Sequence, residues 1–117
     1  MPTIRDLVAA IRQRDGVDAA IVLGHDGLVI EAQLSPELTA DDLAARVPGI
    51  VGPASDFGFT HGRGDLLTAV LEHRDGFAIV SVLSVDAILL VLVAPGANTG
   101  QLLYELRRNR EEIAALI

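Results

Sequence analysis

The chain has 117 residues, a length suited to one domain around a single core, and sixteen acidic against nine basic residues give it a formal charge of -7. A field of that sign repels phosphate backbones, which speaks against nucleic acid as a partner, and the absence of cysteine excludes disulfides, thiolate nucleophiles and thiolate metal sites together. Half of the residues are hydrophobic but only 3% are aromatic, so much apolar surface must be buried and no aromatic platform is available for stacking bases or sugars.

The opening MPTIRDLVAAIRQ carries charges every few residues, where a targeting segment would be apolar. Ile4, Leu7, Val8 and Ile11 fall on one helical stripe, Thr3 and Asp6 have capping-box spacing, and Asp15-Gly16 stops the helix. Two strands are expected next, Val17–Leu23 and Leu28–Leu34, joined at Gly24-His-Asp-Gly27, because Asp-Gly between apolar runs is a strong hairpin signal. The turn leaves His25 facing solvent. Glu31 and Gln33 interrupt the second strand, which places it near a sheet edge.

Ser35-Pro36 ends that strand, and Ser35 or Thr39 can cap a helix carrying Leu38, Leu43, Ala44 and Val47. Pro48 and Pro53 each remove an amide donor, so a kinked or broken helix is expected as far as Phe59. Gly62-Arg-Gly-Asp65 reads as a loop. Leu66–His73 fits a helix or a strand, and the Asp75-Gly76 corner before Phe77–Leu83 favours the strand. Ala87–Ala94 is unbroken and apolar, the pattern of a central strand buried on both faces. Eight residues are far too few to span a membrane, so the protein is expected to be soluble, cytoplasmic and not inserted in a bilayer. Connections this short exclude crossovers, so the strands after residue 65 must form an antiparallel meander covered on both sides. Asn98 with Gln101 opens a last helix, on which Leu102, Leu106, Ile113 and Ile117 form a stripe and Arg107, Arg108 and Arg110 lie on a mostly solvated surface.

This order, helix–strand–strand–helix–three strands–helix, resembles the roadblock/LC7 domain, and in particular its prokaryotic MglB-like small-GTPase regulators. The resemblance spans nearly the whole chain. It rests on Ile11 with Gly16-Val17, Ala20-Ile-Val-Leu23 with Asp26-Gly27-Leu-Val-Ile30, Leu43-Ala44-Ala45, Gly64-Asp65-Leu66, the apolar Ile88–Ala94 and Asn98-Thr-Gly100. It implies an α+β fold for residues 1–117 as one domain: three α/β/α layers around a five-stranded antiparallel sheet, with the first and last helices on one face and the middle helix on the other.

The resemblance also implies a homodimer in which third strands pair into one continuous sheet, with Leu66, Leu67, Thr68, Ala69, Val70, Leu71 and Glu72 at the interface. Leu43, Arg46, Ile50 and Val51 of the middle helix are then candidate partner contacts. Members regulate or scaffold, and the MglB-like ones stimulate GTP hydrolysis without donating an arginine finger. Val47-Pro-Gly49 and Gly52-Pro53 depart from the longer regular helix of many members, so contact geometry does not carry over.

The residues point away from catalysis. There is no nucleophile elbow and no HExxH, and without lysine there is no Walker lysine. His25, His61 and His73 lie on unrelated elements, so no metal and no cofactor is expected. The expected function is a non-catalytic homodimer that binds a small Ras-like GTPase and modulates its hydrolysis of GTP. An adaptor without GTPase-activating capacity is the nearest alternative. A small-ligand sensor is a more distant one, because apolar strands poor in polar and aromatic residues offer little to a ligand.

Overall fold

Thr3 caps the first helix as its spacing predicts. Its Oγ1 accepts from the Asp6 amide at 3.2 Å, and Asp6 Oδ2 accepts from the Thr3 amide at 3.0 Å. The computed structural model describes residues 2–117. In it α1 (Ile4–Arg12) buries Val8 and Ile11. Gly16, at φ +84°, turns the chain beneath Ala97, where a Cβ would lie 2.5 Å from the alanine methyl.

The two following strands are β1 (Val17–Leu23) and β2 (Val29–Leu34). β2 begins one residue later than the apolar run, because Asp26 Oδ1 takes the Leu28 amide at 3.0 Å and the Leu28 carbonyl closes the turn onto Gly24. Gly27 supplies the positive φ of +84°. The expected break between helices falls at Val47: α2 (Ala40–Arg46) is followed directly by α3 (Pro48–Thr60), with Pro48 in its first turn and Pro53 inside it. Thr39 stands at the N-cap of α2, but its side chain makes no capping bond.

Leu66–His73 resolves as a strand, trimmed to β3 (Thr68–His73); Leu66 and Leu67 belong to the approach loop. β4 (Gly76–Val82) and β5 (Ile88–Val93) complete the meander, each slightly offset from or shorter than its apolar run. The sheet order is β2-β1-β5-β4-β3 with every neighbouring pair antiparallel, so the wholly apolar β5 is central and β2 lies at an edge, as its alternation implied.

Strand residues alternate between two cores. Ala20, Val22, Ile79, Leu89, Val91 and Val93 pack under α1 and the C-terminal helices. Ile21, Leu23, Val80, Ile88 and Leu90 pack under Ala44, Val47 and Val51 of the middle helices. A register shift between Val17 and Ala19 lets Val17 join the same side as Ala20 despite its parity. This is the three-layer α+β architecture expected, with the helices on the faces expected.

The last helix departs from expectation. It is two segments, α4 (Thr99–Arg108) and α5 (Arg110–Ala114), because Asn109 (φ -103°, ψ 12°) leaves helical geometry between them. Leu102, Leu106 and Ile113 keep their buried stripe, but Ile117 is 45% exposed and lies off it. The Asn98 cap is only half of a capping box: Asn98 Oδ1 accepts from the Gln101 amide at 3.0 Å, while the Gln101 side chain donates forward to Glu105. Gln101 accordingly holds the Glu105 carboxyl below its ordinary value, and Arg14, two residues past the end of α1, adds to that through an ion pair.

Candidate interaction surface

β3 has one strand neighbour, so every second residue of it presents an unpaired amide and carbonyl. Which residues these are follows from two contacts. The Leu67 carbonyl accepts from the Val82 amide at 2.9 Å, and a two-residue corner, Arg74-Asp75, closes the hairpin with His73 opposite Gly76. Leu67, Ala69, Leu71 and His73 therefore bond toward β4, and Thr68, Val70 and Glu72 turn their backbone groups outward. The side chains of those outward residues share the face of α4 and α5, since they lie opposite Ser81, Ile79 and Phe77. Ala69 packs into the other core, beneath α2 and α3.

The apolar side chains here are incompletely covered. Val70 is 40% exposed and Leu67 is 56% exposed, Leu66 and Leu71 are half-buried, and Glu72 reaches solvent. Of the middle-helix candidates, Arg46 is exposed and paired with Asp42 one turn back, Leu43 and Ile50 are half-buried, and Val51 lies inside the core. Val51 thus packs its own layer and has little surface to offer a partner.

Sequence reasoning missed two features. Phe57 and Phe59, at the C-terminal end of α3, are about two-thirds exposed, at 66% and 64%. The signal was present: Pro48–Thr60 has one charged residue, Asp56, and so no polar face to turn to water. The second is Arg110, expected on a solvated surface. The break at Asn109 turns it inward, where its Nη2 donates to the Leu67 carbonyl at 3.2 Å, to Thr68 Oγ1 and, at 3.5 Å, to Ser81 Oγ. Its Nε is buried without an acceptor. Burial, and then the charge of Arg107, lower its pKa from the ordinary guanidinium value. Arg63, Arg107 and Arg110 line one groove of about 490 Å³ with Phe57 and Leu67, and Asp65 is the only carboxylate in its wall.

The histidines do not converge. His25 is exposed, yet its Nε2 lies 2.9 Å from the Ser84 carbonyl, so it ties the first hairpin to the β4–β5 corner and is not free at the tip. His61 stacks obliquely on Phe57 with ring centroids 4.7 Å apart, and His73 sits at the second hairpin. Among the described residues no group of three or more His, Asp or Glu could hold a metal, and no helix is long and apolar enough to cross a membrane.

Comparison with known proteins agrees with this geometry. The Roadblock/LC7 domain family model matches residues 3–93. An uncharacterized protein of Methanocaldococcus jannaschii, MJ1340, is 30% identical over 109 residues, covering 91% of this chain and 92% of that protein. A Roadblock/LC7 domain from Streptomyces avermitilis superposes with a TM-score of 0.84 at 25% identity over 97% of both chains. Myxococcus xanthus MglB superposes with a TM-score of 0.87 over 97% of this chain and 93% of its own, at 11% identity, a likeness of fold alone.

Proposed function

Because the chain belongs to the Roadblock/LC7 domain family, whose members are non-catalytic adaptor and regulatory modules, we propose that it is a cytoplasmic homodimer that binds a small Ras-like GTPase and modulates its GTP hydrolysis. Residues 1–117 act in this reading as one domain. The observation that carries the association is the uncovered β3 edge, where outward backbone groups meet exposed Leu67 and Val70, with Phe57 in the groove beside Leu67. A free edge with apolar side chains is an association site unless it is guarded. Leu66 to Glu72 form the interface between copies. Leu43, Arg46 and Ile50, on the α2–α3 face, are the surface offered to the GTPase, with Val51 supporting them from beneath.

The mechanism is one of surfaces. A dimer seated on the switch regions favours one conformation of the GTPase, and its effect equals its preference for that conformation over the others. A second reading, an adaptor that tethers without accelerating hydrolysis, is supported by the helix broken at Val47 and carrying Pro53, since a segmented helix alters the surface a partner meets.

A multiple-turnover GTPase assay with a purified small Ras-like GTPase from the same organism tests both. Acceleration supports the regulator. A stable complex with no acceleration leaves the adaptor, and no complex at all removes the GTPase from either reading. Association is checked by solution mass, expected at twice the chain mass of 12.3 kDa.

A further inference from the structure

The β3 edge restricts how two copies can meet. A two-fold that sets a strand antiparallel to its own copy stands perpendicular to the sheet, so each helix layer stays on its own side. Residues directly opposite each other point to the same side. Paired positions must then have the same parity, and the axis passes through a residue, which on β3 means Ala69, Val70 or Leu71.

The outward backbone groups choose among these. Centred on Val70, the pairing sets Val70 against its copy and Thr68 against the partner's Glu72, so all three outward residues of each strand are hydrogen-bonded. Centred on Ala69, it leaves the outward groups of Glu72 facing the partner's loop at Leu66. Centred on Leu71, it leaves Thr68, and with it Arg110, facing the partner's Arg74, a repulsive contact.

Charge selects the same register. Arg110 donates to Thr68 Oγ1 and to two other uncharged acceptors, its Nε lacks an acceptor, and Arg63 and Arg107 share its groove. In a chain of net charge -7, this groove has three arginines to one carboxylate. Glu72 stands on the same face of β3 as Thr68, is exposed, and makes no ion pair among the described residues. Opposite residues of a hydrogen-bonded antiparallel pair lie about 5.5 Å apart, which is within reach of a glutamate and an arginine that already touches the opposing side chain.

We infer that two copies pair through β3 in the register centred on Val70, and that the partner's Glu72 completes the arginine groove at Arg110. The two-fold makes this contact twice. The inference rests on the homodimer proposed above and adds its register and its electrostatic latch. It also gives the inward turn of Arg110 a use: the arginine fixes the start of β3 within its own chain and receives the carboxylate of the other.

The test uses the absence of cysteine. In the full chain, Ala69→Cys, Val70→Cys and Leu71→Cys are made singly and oxidised. Disulfides bridge Cα separations up to about 7 Å, so rapid cross-linking of Val70→Cys alone is expected, and preferential cross-linking at 69 or 71 overturns the register. In parallel, Glu72→Arg is expected to weaken self-association by roughly tenfold or more, more so at low salt, and Glu72→Arg with Arg110→Glu to recover most of it. Arg110→Glu also removes that arginine's bonds to Leu67, Thr68 and Ser81, so the weight falls on Glu72→Arg, since the Glu72 side chain makes no hydrogen bond or ion pair among the described residues. An unchanged dimer in Glu72→Arg at low salt overturns the latch. A wild-type mass of one chain overturns the dimer itself, whereas a dimer that cross-links elsewhere overturns only this assignment.

Discussion

The two edges of the sheet are finished in different ways. At β2, α1 and α2 both pack against the strand, and Arg12 donates to the Val17 carbonyl at 2.9 Å and to Ser35 Oγ at 3.2 Å. The Ser35 amide bonds the Asp18 carbonyl, a register shift kinks the pairing near Leu23, and Glu31 and Gln33 interrupt the apolar run, although Ile30 between the turn and Glu31 is 46% exposed. At β3, one arginine reaches the strand and its exposed residues include Val70 and the neighbouring Leu67. Charge, a bulge and helical cover are the usual guards of an edge against association. The β2 edge has a register shift and two packed helices and the β3 edge has neither, which is the physical basis for assigning self-association to β3.

Substitutions can break that contrast. The largest effect is expected from Leu71→Arg, which places a charge in the proposed interface and should convert the dimer to a monomer by light scattering. Gln33→Arg, on the guarded edge, should leave the mass unchanged. A monomer from Gln33→Arg, or a dimer from Leu71→Arg, would move the interface away from β3.

The hairpins that form the edges differ next. Gly76→Ala puts a Cβ 2.5 Å from the Val93 carbonyl at φ +146°, and about 3 kcal/mol of stability should be lost. Gly27→Ala, at φ +84° with its closest neighbours at 3.4 Å, should cost about 1 kcal/mol. Urea titration orders the two, and the reverse order would contradict the closer approach at Gly76. Smaller again is Arg12→Ala, expected to cost about 1 kcal/mol by removing the clamp on β2 and to leave the oligomeric state as it was.

The smallest effect is on pH dependence and concerns the layer shared by both edges. Glu105 has its pKa lowered by Gln101, then by Arg14, so its contribution is complete above the ordinary value of 4.5 and is lost as the pH falls through the lower folded value. Gln101→Ala should lower Tm slightly at neutral pH, and the two melting curves should converge in acid. A difference that grew with acidification would reverse the sign.

Much of the fold was legible because it was written in local chemistry. The Thr3–Asp6 box, the Asp-Gly corners, the alternation in β2 and the apolar β5 each use the period or turn geometry of a single element, and each came out where expected, within a residue or two at strand ends. The break in the last helix was not legible. Asn109 interrupts an otherwise helical pattern, and only the packing of Ile113 and the pull of the Leu67 carbonyl on Arg110 make the interruption favourable. His25 was placed correctly in its turn, but its bond to Ser84 joins residues 59 positions apart, beyond any local pattern.

The candidate surface divides along the same line. The sequence by itself determined the antiparallel meander after residue 65 and the two-sided burial of β5, because hydrophobic periodicity and turn residues act over a few positions, while the layers followed from the family resemblance. Only the tertiary structure decided which β3 residues turn their amides outward, that Val51 is spent in the core, and that Arg110 stands beside Thr68. Those facts depend on hydrogen-bond phase and on contacts between segments some forty residues apart, which no periodicity within one segment can encode.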